Sequence, residues 1–317
     1  MELADGVALA AALGVWIRFS KFYYLPTRNE TAPPEERQQV SIIVPARNEA
    51  DNLRKLLPTL HQLNALEIIV ANDRSDDATV EVATSYGARV IQVPSRPEQW
   101  VAKSWACHQA AQHARGRYLL FTDADTIHQP ESLGHVLAYL KHENADMLSA
   151  SPWHLNQLWW EKLLGPFYCF VYAGASPYDK PRRGRAYAVG QYILFQTQAY
   201  ARLKGHESVK DALAEDAALA QHAMDKGAKF VMYCGAAPYK VQMYDSIKAF
   251  IKGWTRQLRM GMRYVHFSVA IYSLLPLIAL NIIRLPSMSF FAWLPLILTL
   301  ICFGLVQARL GNFSIWG

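Results

Sequence analysis

Hydrophobic positions fall into two regimes along the 317 residues. In the middle, short apolar runs alternate with stretches of helical periodicity. Val40 to Pro45 is an apolar run closed by proline and predicts a buried strand. Asn48 to Leu63 follows as a helix, with Leu53, Leu56, Leu57 and Leu60 on one face. Glu67 to Ala71 reads as a second strand. Ser75 is placed to cap a helix from about Asp76 to Tyr86. Ala88 to Val93 is a third strand, Lys103 to Ala114 a helix, and Arg117 to Thr122 a fourth strand. Pro130 opens a helix that runs to about Lys141. Strand and helix alternating over short links predict an α/β fold, a mostly parallel sheet flanked by helices. Ligands of such sheets bind at the carboxyl ends of the strands.

The second regime lies at the two ends. Gly6 to Ile17 is uncharged, with Glu2 and Asp5 before it and Arg18 and Lys21 after it. A cleaved signal peptide has the opposite charge order, so residues 1–25 read as an uncleaved N-terminal anchor. An amphipathic helix lying in the interface is the alternative. Val265 to Ile283 and Met288 to Val306 carry no Lys, Arg, Asp or Glu, and Arg284 to Ser287 make a turn between them. Each run matches the ~20 residues that cross a bilayer, so residues 265–306 read as a transmembrane hairpin, with 307–317 as a tail. Basic residues Arg18, Lys21, Arg28, Arg256, Arg259, Arg263 and Arg309 flank these runs. The positive-inside bias places residues 26–264 and the C-terminus in the cytoplasm. The expected location is the inner membrane, multi-pass, with the central domain facing the cytoplasm.

Composition sharpens this. The chain is 52% hydrophobic and 18% charged, which excludes a disordered chain. Four separated cysteines make neither a disulfide framework nor a metal-ligand spacing. The net charge is +6 and the pI about 9.0. Much of that excess sits in residues 243–264, where Lys248, Lys252, Arg256, Arg259 and Arg263 recur every three or four positions. A basic amphipathic helix beside a membrane span predicts contact with anionic headgroups, and nucleic acid is not needed to explain the charge. A solvated face is the plainer account.

Candidate chemistry lies after the strands. Asp123 and Asp125, one residue apart at a strand end, suit a shared divalent cation such as Mg²⁺ or Mn²⁺. Asp73, Ser75 and Asp77 offer acceptors after the second strand, or simply a turn. Lys103 at a helix start favours a bound diphosphate. Glu215 and Asp216 open another helix, where one acid can act as general base or both can merely favour the helix dipole.

Four motifs in order, SIIVPARNEA from Ser41, NDRSDDAT from Asn72, TDAD from Thr122 and AEDAALA from Ala214, resemble the inverting family 2 glycosyltransferases. The resemblance covers about residues 39–264 and implies the glycosyltransferase A-type fold, with a catalytic domain at 39–242. KSWAC from Lys103, SASPWH from Ser149 and GHESVKDALAEDAALA from Gly205 are similar to a membrane-bound subgroup. That subgroup includes carotenoid-acid glycosyltransferases of the diaponeurosporenoate type and glycosyltransferase-like proteins of hopanoid biosynthesis.

The resemblance implies roles. Pro45, Ala46 and Glu49 line the nucleotide pocket, Asp73 meets the base and Lys103 the phosphates. Asp123 contacts the ribose side, Asp125 the metal, and Gly190 and Gln191 the donor sugar. Asp216 is the general base. His206, Glu215, Gln257 and Arg259 stand on the acceptor or diphosphate side, His206 near the acceptor entrance. Arg74, Ala102 and Lys204 stand where the family usually has glycine. Arg256 and Met260 stand where it often has Gln and Trp. The expected activity is metal-dependent, inverting transfer from a nucleotide-sugar, with UDP-glucose as a candidate donor, to a lipid or isoprenoid acceptor. A nucleotidyltransferase would need a glycine-rich phosphate loop after the first strand, which PARNEA lacks. A non-catalytic membrane component that keeps the fold is the remaining alternative.

Overall fold

The structure is a computed structural model that describes residues 3–23, 30–168, 188–233, 238–242, 244, 246–261, 278 and 290–313. Its centre is a seven-stranded sheet. The strands are β1 (Val40–Ala46), β2 (Glu67–Asn72), β3 (Arg89–Gln92), β4 (Tyr118–Thr122), β6 (Met147–Ala150), β8 (Tyr192–Gln196) and β9 (Phe230–Tyr233), in the order β3-β2-β1-β4-β8-β6-β9. Only β8 runs against its neighbours, β4 and β6. A small second sheet joins β5 (Thr126–His128), β10 (Tyr239–Val241) and β7 (Trp153–His154).

Alternation along the strands builds two cores. Ile42 and Val44 of β1 face the layer holding Leu53, Leu56, Leu57 and Leu60, all fully buried. Ile43, Ile69, Leu119 and Phe121 face the opposite layer, which takes Ala106 and Ala110 from the Ala102–His113 helix and Leu219 and Ala223 from the Glu215–Asp225 helix. Each buried leucine contributes about 1.5–3 kcal/mol, so both faces of the sheet hold its edge rigid.

Helix starts differ from the periodic pattern for local reasons. Asn48 has φ of 57°, which a helix cannot use, so that helix begins at Ala50. The next begins at Thr79 rather than Asp76. Asp77, not Ser75, is the acceptor there: it takes the backbone N–H groups of Ala50 and Thr79. Ser75 instead accepts from the Asn48 N–H.

The Leu3–Tyr23 and Phe290–Leu310 helices pack together through Ala11, Ala12, Val15, Cys302, Phe303 and Val306. Their outer faces expose Trp16, Ile17, Trp293, Ile297, Leu300 and Ile301. Among the described residues, no helix is long and apolar enough to cross a membrane. The first expected span, 265–283, lies outside the described residues except for Ile278, as do Arg263 and the turn at 284–287.

The Ile247–Gly261 helix keeps Lys248, Lys252 and Arg256 exposed. Its Phe250 and Trp254 are half-buried against Phe167, at centroid distances of 5.4 and 4.8 Å. Ile247, Ile251 and the neighbouring Trp159, which is 71% exposed, stay uncovered beside that basic row.

Candidate active site

The carboxyl edge of the sheet collects the polar groups. Pro45 and Ala46 end β1 and Glu49 follows it, Asp73 follows β2, and Asp123 to Asp125 follow β4. Because β8 is antiparallel, its amino end lies on the same edge: Tyr192 pairs with Thr122. Gly190 and Gln191 are thereby brought beside the Asp123–Asp125 turn, a juxtaposition that the sequence does not show.

Lys103 is the hub. Its ammonium lies 2.7 Å from Asp123 Oδ1 and 2.8 Å from Glu215 Oε1. Burial works against that charge, and the two carboxylates hold it firmly protonated. Gly190 closes the floor. A Cβ there would stand 3.1 Å from Lys103 Nζ, 3.2 Å from Asp216 Oδ2 and 3.2 Å from Glu215 Oε1, so a side chain would displace all three. The Gly190 N–H donates to Asp216 Oδ2 at 2.9 Å, and the Ala217 N–H to Asp216 Oδ1 at 2.7 Å.

The acids divide by environment. Burial works against the charge of Glu215, but Lys103 overrides it and holds this carboxyl below the usual range. Asp216 is pushed up to about 6, first by burial and then by the negative Glu215 beside it. Asp125 is pushed up to about 6 by burial and by Asp123. Asp123 is itself raised by burial despite Lys103. Asp123, Asp125, Glu215 and Asp216 thus share the charge of Lys103, which leaves Asp125 short of a counter-ion. Among the described residues no three His, Cys, Asp or Glu side chains group into a metal cage. Asp125 and Asp123 fit a hard cation whose other ligands come from a bound anion.

On the β1–β2 side, the Asp73 N–H donates to Ala46 O at 2.9 Å. The Asp73 carboxylate is buried and bonded by Nε and Nη2 of Arg74, at 3.2 and 3.1 Å. Arg74 has φ of 54° and Lys204 has φ of 59°, the left-handed region that glycine occupies freely. Two of the glycine positions of the resemblance therefore keep the glycine conformation with a side chain in place. In return, Arg74 gains its bond to Asp73. Ala102 lies in a helix and needs no such freedom.

His206 does not line an entrance. It is 2% exposed, edge-on to Phe121, with Nδ1 at 2.8 Å from the Tyr200 hydroxyl. Burial pushes it down to about 3, so it backs Glu215 as a neutral ring. Gln257 and Arg259 lie in the Ile247–Gly261 helix, and their side chains are outside the described residues. Tyr244 was not legible as a site residue. Its ring fills the space that a side chain at Gly253 would take, and its hydroxyl feels both Arg256 and Asp125.

A sheet of this order, with an acidic turn after β4 and an acid pair opening a helix over the same edge, has the architecture of the glycosyltransferase A-type fold. The sequence profile described as Glycosyl transferase family 2 matches residues 41–203, more than half of the chain. The chain belongs to that family. It is similar to the 4,4'-diaponeurosporenoate glycosyltransferase of Staphylococcus haemolyticus (strain JCSC1435), 28% identical over 246 residues, which are 75% of this chain and 66% of that one. The protein of the same name from Staphylococcus aureus (strain N315) is 28% identical over 262 residues, 80% of this chain and 69% of the relative. The matched region thus spans about two thirds of these relatives' length. Its fold is shared with the mannosyltransferase PcManGT from Pyrobaculum calidifontis, solved with GDP-Man and Mn²⁺. The TM-score is 0.55 at 15% identity, over 96% of this chain and 99% of that one.

Proposed function

We propose that this chain moves a sugar from a nucleotide-diphosphate donor, a UDP-sugar such as UDP-glucose, to a lipid or isoprenoid acceptor at the cytoplasmic face of a membrane. The observation that carries this is the convergence of Lys103, Asp123, Asp125, Glu215, Asp216 and Gly190 on one sheet edge. Pro45, Ala46, Glu49 and Asp73 form the lip that takes the nucleoside. Lys103 supplies positive charge to the leaving diphosphate. Asp125, with Asp123 beside it, would hold a Mg²⁺ or Mn²⁺ ion, whose charge would offset that of the diphosphate.

Asp216 takes the proton of an acceptor hydroxyl while that oxygen forms its bond to the anomeric carbon. The bond from that carbon to the diphosphate breaks on the opposite face, and the single displacement inverts the centre. The Gly190 and Ala217 N–H groups keep both oxygens of Asp216 in place for this. An acceptor carboxylate is already ionised near neutral pH and needs the base less. The named acceptor of the staphylococcal relatives is a carotenoid acid, which supports an isoprenoid carboxylate as one acceptor class.

Membrane association is supported by the uncovered apolar faces of the terminal helix pair. The basic row of the Ile247–Gly261 helix, set beside Ile247, Ile251 and Trp159, supports contact with anionic headgroups.

The test is binding of a panel of nucleotide sugars to the detergent-solubilised full chain, with Mn²⁺ and with chelator. One UDP- or GDP-sugar should bind in a metal-dependent way. A folded sample that binds none would contradict the donor assignment.

A further inference from the structure

Behind the carboxylate-bearing turn lies a buried hydrogen-bond unit that the chemistry above does not use. Thr122, Thr126 and His128 are each at most 2% exposed. The Thr122 hydroxyl donates to the Gln191 carbonyl at 2.8 Å, and the Thr126 hydroxyl to the Asp123 carbonyl at 2.8 Å. A hydroxyl has one proton, so both are spent. The two hydroxyl oxygens lie 3.1 Å apart and face His128 Nε2 at 3.0 and 3.2 Å. With no proton left to give, each oxygen can only accept from the ring. Nε2 therefore carries the hydrogen, shared between the two threonines. His128 Nδ1 is bare, and it has no hydrogen-bond partner among the described residues.

The ring cannot turn away. It lies 5.5 Å from the Tyr192 ring and 5.9 Å from Tyr239, which stack on each other at 5.6 Å. Its backbone N–H is fixed to Thr59 Oγ1 at 3.1 Å. Burial pushes His128 down to about 3, so the ring stays neutral.

The two carbonyls belong to the two halves of the site. Asp123 O lies at the start of the turn that presents Asp123 and Asp125. Gln191 O follows Gly190, whose N–H holds Asp216. We propose that Thr122, Thr126 and His128 are positioning residues that lock the donor-side carboxylate turn to the loop that aims Asp216. The roles of Asp125 and Asp216 in this proposal rest on the function proposed above.

The test uses the full chain with Thr122→Val, Thr126→Val, Thr122→Ser and Thr126→Ser, read by Mn²⁺–UDP binding and by turnover. Second-sphere changes of this kind typically cost about 10–100-fold. Thr126→Val should raise the Mn²⁺–UDP Kd by about that factor, whereas Thr122→Val should lower kcat with little change in Kd. The serine variants, which keep the hydroxyl, should stay close to wild type. Folded valine variants with wild-type Kd and kcat would overturn the proposal, as would serine variants that fail as badly as the valines. A second readout needs no ligand: ¹⁵N NMR should show His128 as the neutral Nε2–H tautomer in wild type and serine variants. An Nδ1–H tautomer would overturn the relay even where valine variants do not fold. Should the wild type bind no Mn²⁺–UDP, the proposed function falls, while the tautomer still decides the relay.

Discussion

Asp216→Asn should lower kcat with a hydroxyl acceptor by about two to four orders of magnitude, the usual contribution of a general base. Binding of the nucleotide should change little, because Lys103, Asp123 and Asp125 are untouched. The asparagine keeps one oxygen for the two N–H groups that hold Asp216, so it retains the Gly190 bond only by setting its NH2 group against the Ala217 N–H. With a carboxylic acid acceptor the loss should be much smaller, since that oxygen arrives already ionised. The ratio of the two losses therefore reports the acceptor class. The wild-type profile should agree: kcat with a hydroxyl acceptor is lost as pH falls through about 6, where Asp216 takes up its proton. Stability runs the other way. A carboxyl raised above its unfolded value stabilises the fold fully below about pH 4, and that contribution is lost as pH rises through about 6. Equal kcat for Asp216→Asn and wild type with a hydroxyl acceptor would remove Asp216 as the base.

Asp125→Ala should abolish metal-dependent nucleotide binding and leave the ligand-free protein about as stable as wild type. Asp125 is pushed up to about 6 by desolvation and by Asp123, but the residue is exposed, so solvent screens most of that unfavourable charge and its removal changes the stability of the ligand-free protein little. In the wild type, Mn²⁺ with UDP at roughly one hundred times Kd should stabilise by about 2.7 kcal/mol, read as a rise in Tm. The variant should show no such rise. Tm shifts that are the same in variant and wild type, with Mn²⁺ and with chelator, would sink the metal role of Asp125.

The first half of the sheet was legible because β1 to β4 alternate with helices and β1, β2 and β4 are dense apolar runs, while β3, with Arg89 and Gln92 at its ends, is placed by its position between two helices. The second half was not. The later strands β5 to β10 have five residues or fewer, and β8 reverses direction, so periodicity over 126–241 is too short to read. Site residues that follow strands, such as Asp73, Asp123 and Asp125, could be found from the pattern and the motifs. Their partnerships could not. Gly190 touching Asp216, and Thr122 reaching Gln191, join positions far apart in the chain. The departures at Arg74 and Lys204 were visible as missing glycines, but only the backbone shows that both residues keep a left-handed φ. Ser75 was a plausible cap by type, but the N-cap position falls on Ala78, and Asp77 just before it accepts the Thr79 N–H.

The most direct measurement is transfer itself. The full chain, in vesicles containing anionic lipid, is given a radiolabelled nucleotide sugar, Mn²⁺, and either an isoprenoid alcohol or an isoprenoid acid. Label should move into the organic-extractable fraction, depend on Mn²⁺, and carry the anomeric configuration opposite to that of the donor. Nucleotide-sugar binding with no label in any lipid fraction, or a product that keeps the donor's configuration, would contradict the account.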